Sequence, residues 1–103
     1  MSDQKRPPRG FIPGTTFIFA DGYAASADFC ISVLEQVGHI VPAVWPNETY
    51  TLEMLCGLEY WSALSPWEHQ EAGRIMVRLA AGGWLPLETV GCRHSNPKKY
   101  KLK

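Results

Sequence analysis

From residue 10 to residue 64 the chain has no lysine and no arginine. The same stretch holds six acids: Asp21, Asp28, Glu35, Glu48, Glu53 and Glu59. Such a segment repels a polyanion and suits a neutral or basic partner. Also missing is any run of about 20 apolar residues, which excludes a membrane-spanning helix and argues against a membrane partner. The first ten residues are polar, and no apolar segment follows the basic ones as it would in a secretory leader. Cysteine is scarce: Cys30, Cys56 and Cys92, odd in number and widely spaced. That argues against a disulfide framework. It suits a reducing, cytoplasmic setting in which the thiols act as small buried hydrophobes.

Chemical motifs are equally sparse. The chain has no Cys-x-x-Cys and no His pair at metal-binding spacing, so no metal is expected. It has no phosphate loop, dinucleotide fingerprint, nucleophile elbow or catalytically spaced carboxylate pair, so no cofactor is expected either. Cys92 and His94 share a strand face as Cys-x-His. They lack the orienting group and oxyanion loop that a nucleophile needs. The expectation is a protein that binds rather than catalyses.

What the sequence does contain is one domain's worth of core and a divided charge. The 103 residues are 46% hydrophobic, with net charge zero. Residues 1–9 carry net +2, residues 10–64 net −6 and residues 65–103 net +4. We read residues 1–14, rich in Pro, Gly and charge, as a loose arm, and residues 15–103 as a single domain. No internal repeat is present.

The clearest local signal starts at Ser65-Pro66-Trp67-Glu68. Ser65 suits the N-cap, Pro66 the first helical position, and Glu68 the third position of a capping box. Ala72, Ile75, Met76 and Leu79 form the buried stripe of a helix over 66–81, closed by Gly82-Gly83. Before it, Thr15–Phe19 reads as a strand. Its unpaired edge makes a homodimer plausible. Ala24–Val37 reads as a helix capped by Asp21 or Ser26, and His39–Val41 as a short strand stopped by Pro42. A second helix is expected from Thr51 to about Leu64. Gly57 inside it marks close packing or a break into two pieces. After the long helix, Trp84–Val90 and Lys99–Lys103 form a hairpin turning at His94-Ser95-Asn96-Pro97. Tyr100 and Leu102 face inward, and the lysines between them face solvent.

The resulting order is helix, strand, helix, helix and a terminal two-stranded hairpin, with an extra N-terminal strand. It resembles the winged-helix domain over about residues 24–102. The expected fold is therefore α+β: three helices, a C-terminal hairpin and the extra strand. In winged-helix proteins the third helix often enters the major groove of duplex DNA while the wing touches the backbone. By position, the resemblance implies that Gln70, Arg74 and Arg78 face DNA. Arg93, Lys98, Lys99 and Lys101 would then meet phosphates. Glu68 and Glu71 in the first turns of that helix oppose such contact.

Winged helices also serve as interaction modules, and a fold does not fix a function. The alternative is a protein-binding surface of Trp45, Glu48, Tyr50, Glu53, Glu59 and Tyr60, aromatic anchors ringed by acids. Such a protein would be an adaptor or an inhibitor, for example a phage- or plasmid-borne one, docking on a nucleic-acid-handling complex.

Overall fold

Residues 10–91 and 98–103 are described by a computed structural model. The first two strands, β1 (Thr16–Ile18) and β2 (Ala24–Ser26), form an antiparallel hairpin with Phe17 opposite Ala25. The expected helix start at Ala24 is corrected here. Ala24 to Ser26 are drawn into strand pairing, and helix α1 runs from Ala27 to Ile40. Ser26 ends the strand and caps the helix, its hydroxyl accepting the Phe29 N–H at 3.3 Å. The helix also runs through Gly38, so the strand expected at His39–Val41 is absent. Those residues form its last turn and a short 3-10 turn, Val41–Ala43.

The strand that does follow α1 is β3 (Tyr50–Thr51). It leads into α2 (Leu52–Cys56) and α3 (Leu58–Ala63), the two pieces of the expected second helix. The described residues thus hold four α-helices, not three. The break is Gly57, at φ 88° and ψ 148°, a conformation that is essentially glycine's alone. Side chains close the interrupted ends. Gln36 Nε2 donates to the Cys56 carbonyl at 2.7 Å, and His69 Nε2 lies 2.7 Å from the Trp61 carbonyl. The Ser32 and Tyr60 hydroxyls, 2.7 Å apart, tie α1 to α3.

Helix α4 (Pro66–Ala81) follows after only Leu64 and Ser65. Its capping box is complete: the Glu68 N–H donates to Ser65 Oγ at 3.1 Å, and the Ser65 N–H to Glu68 Oε1 at 2.8 Å. Such a cap contributes about 1 kcal/mol. Ala72, Ile75, Met76 and Leu79 are buried as the spacing requires. The terminal strands β4 (Leu87–Val90) and β5 (Lys99–Leu102) pair antiparallel, and β5 also pairs with β3, giving the order β3-β5-β4. Tyr100 on the central strand sits opposite both Tyr50 and Thr89 and is buried. The turn expected at residues 94–97 lies outside the described residues.

One core joins these parts. Phe11, at a position the sequence assigns to the arm, is 1% exposed within it. Its ring lies 4.5 Å from that of Phe17 and 5.1 Å from that of Trp84. The N-terminal hairpin is thereby fixed to the far end of α4. Cys30 and Cys56 are free thiols, both fully buried. The architecture is α+β, helices plus a β-hairpin, compatible with a winged-helix arrangement. No helix among the described residues is long and apolar enough to cross a membrane.

Candidate functional site

A cavity of about 610 Å³ lies between α4, the β3–α2 junction and β5. The exposed side of α4 forms one wall. His69, Gln70, Gly73, Arg74, Val77 and Arg78 succeed one another along it at helical spacing. Thr51, Leu52 and Glu53 supply the opposite wall, and Trp61, Lys98 and Tyr100 complete the lining. Trp61 and His69 stack at 4.2 Å between ring centres, nearly parallel at 9°. This stack and the bond from the His69 ring to the Trp61 carbonyl fix the α3 end of the groove.

Gly73 lines the groove without a side chain. A Cβ built there meets none of the described residues within 4 Å, so no packing among them demands glycine. Glycine in a helix interior costs about 1 kcal/mol against alanine. Among the described residues no contact repays that cost, and the space beside Arg74 is open.

Of the residues expected to meet nucleic acid, Gln70, Arg74, Arg78 and Lys98 come together on this groove. Arg93 lies outside the described residues. Lys99 and Lys101 do not line the groove. They alternate with Tyr100 along β5 and so project from the other face of the sheet. Lys101 Nζ stands 3.9 Å from Glu88 Oε2, its cross-strand neighbour.

Arg78 lines the groove, but its guanidinium is held by the rest of the fold. Its Nε donates to both Asp21 carboxylate oxygens, at 3.2 and 3.0 Å, and its Nη2 donates to Oδ2 at 2.7 Å. The guanidinium carbon also lies 4.1 Å from the centre of the Tyr23 ring. The Tyr23 hydroxyl in turn donates to Glu71 Oε1 at 2.6 Å, with Arg74 alongside. The hydrogen bonds from Arg78 hold the Asp21 carboxyl below its ordinary range. Burial, then the Glu71 carboxylate, raises the Tyr23 phenol. The sequence carries no signal for this clasp, because Asp21 and Tyr23 belong to a distant hairpin.

The alternative surface is divided by the fold. Trp45 is 72% exposed, and its backbone N–H donates to the Tyr50 hydroxyl at 2.9 Å. Glu48, Glu53 and Glu59 are exposed. Tyr50 and Tyr60 are half-buried and pack against the core, so they add little to an open aromatic patch. A second exposed tryptophan, Trp67, belongs to the first turn of α4. There it borders a groove with Phe29, Asp28, Glu68 and Glu71.

No group of three His, Cys, Asp or Glu able to hold a metal ion occurs among the described residues, and Cys92 and His94 lie outside them. No family model, no curated protein and no solved structure matches this chain.

Proposed function

We infer that the protein is a small winged-helix-like, non-catalytic DNA-binding regulator that meets duplex DNA through α4 and the terminal hairpin. The observation that carries this reading is the shared placement of Gln70, Arg74 and Lys98 on one open surface beside α4. Arg and Gln suit base edges because each can make paired hydrogen bonds. Lysine suits phosphate, whose neutralisation supplies most non-specific affinity. The strand order β3-β5-β4 and the two-residue turn before α4 are the arrangement a winged helix would have. Arg78 has a different part: clasped by Asp21, it holds α4 in place.

The test is fluorescence anisotropy with random duplex DNA across a salt series, comparing the parent with an Arg74→Ala/Lys98→Ala variant. Binding that weakens steeply with salt, and with a shallower slope in the variant, is the expected result. Absence of binding at low salt would rule the reading out.

A second reading is favoured by one observation. Trp45 and Trp67 are 72% and 68% exposed, and acids flank Trp67. These features suit an adaptor or inhibitor that docks on a basic protein surface. A Trp67→Ala variant that loses a protein partner while keeping its fold would support that role.

A further inference from the structure

The surface beside α4 is concave as well as charged. A helix that enters the major groove stands proud of its neighbours, because the DNA supplies the concavity. Here α4 is also one wall of a concavity of about 610 Å³. Sites that enclose small organic ligands run from about 300 to 1,000 Å³. The apolar part of the lining, half-buried Val77 and Trp61 over the buried Leu52 and Tyr100, offers nothing to a phosphate. Glu53 in the same groove would repel one.

An unpaired nucleotide accounts for both features. Its base has apolar faces that settle on aromatic and aliphatic side chains, and a polar edge that can be read by hydrogen bonds. A carboxylate accepts from the exocyclic amine of cytosine, so Glu53 becomes a reading group and not an obstacle. Gln70 can pair with a base edge as well. Arg74 and Lys98 on the same groove suit the flanking phosphates. Gly73 completes the pattern: no described residue lies within 4 Å of a Cβ built there, and any larger side chain would extend into the groove that it lines.

We propose that this groove holds one unpaired nucleotide, at a bulge or junction of a duplex, with preference for an amino-bearing base such as cytosine. The proposal rests on the nucleic-acid reading above and deepens it. Its test uses the full chain and three labelled probes: a plain duplex, the same duplex with one unpaired dC, and the same with one unpaired dT. The dC bulge is expected to bind about tenfold tighter than the plain duplex, and the dT bulge to gain less. Glu53→Gln should erase the difference between dC and dT. Gly73→Leu should remove the gain from the bulge while leaving the melting temperature at or above the parent's. Equal affinity for plain and bulged duplexes, or a gain that survives Gly73→Leu, overturns the proposal and leaves duplex binding standing. No binding to any probe overturns both.

Discussion

Arg78 reaches back 57 residues to grip the Asp21 carboxylate with two nitrogens, while its guanidinium covers the Tyr23 ring. Arg74, one helical turn earlier, is exposed on the groove side. Two arginines that look equivalent in the sequence therefore have different surroundings. Arg78→Ala is expected to lower the melting temperature more than Arg74→Ala does. Arg74→Ala is expected to weaken DNA binding more than Arg78→Ala does. Circular dichroism melts and anisotropy titrations on the same two variants check both rankings, and reversed rankings would make Arg78 the contact residue.

The clasp also carries a pH signature. The Asp21 carboxyl is held below its ordinary value of 3.8, chiefly by the hydrogen bonds from Arg78. A depressed carboxyl contributes stability that is fully present above the unfolded value and is lost as pH falls through the folded one. Melting temperatures of the parent and Asp21→Asn should differ at neutral pH and converge below about pH 4. A difference that stays constant down to pH 2 would show that Asp21 acts through something other than its charge.

At the alkaline end the buried thiols and phenol act in the opposite sense. Burial pushes Cys30 from 9.0 up to about 11, Cys56 from 9.0 to about 12 and Tyr100 from 10.0 to about 12. A raised acid keeps its contribution below the unfolded value and loses it as pH rises toward the folded one. Stability should decline from about pH 9, where unfolded thiols ionise, and more steeply past pH 10, where unfolded tyrosine joins them. In Cys30→Ala/Cys56→Ala the onset should move toward pH 10, measured by urea unfolding at fixed pH.

Gly57 separates α2 from α3 in a conformation that residues with side chains avoid. Gly57→Ala is expected to destabilise the fold by about 1–3 kcal/mol, the usual cost of such strain. The new Cβ would also sit 3.4 Å from Ile40 Cδ1 and 3.8 Å from Gln36 Nε2, close to the side chain that satisfies the Cys56 carbonyl. A denaturant midpoint equal to the parent's would mean that α2 and α3 can join as one helix at no cost.

Local chemistry made α4 legible in the sequence. Its cap, its first-turn proline, its buried stripe and its closing glycines all lie within nineteen residues, Ser65 to Gly83. The period of Tyr100 against the lysines was equally plain, because alternation is a property of the strand itself. The misses share a different cause. Ala24 to Ser26 have no strand composition and extend only because β1 lies beside them. Tyr50 and Thr51 form a two-residue strand through partners at Tyr100 and Lys99, about half the chain away. His39 to Val41 look like a strand by composition, yet α1 continues because Gly38 is exposed and breaks nothing. In the site, Gln70 and Arg74 were legible as a helix face. The opposing wall at Thr51 and Leu52, and the clasp at Asp21 and Tyr23, required the fold.

The ring cluster of Phe11, Phe17, Phe19 and Trp84 sets an order of events for the growing polypeptide. Its first member is made early and its last only after α4 is complete, so the cluster closes a loop of most of the chain. Loop closure over such a span must be met before the contact gives anything back, which slows the final step. During translation the first hairpin would wait with its phenylalanines uncovered until Trp84 leaves the ribosome. In that interval the nascent chain is most exposed to aggregation and to capture by chaperones.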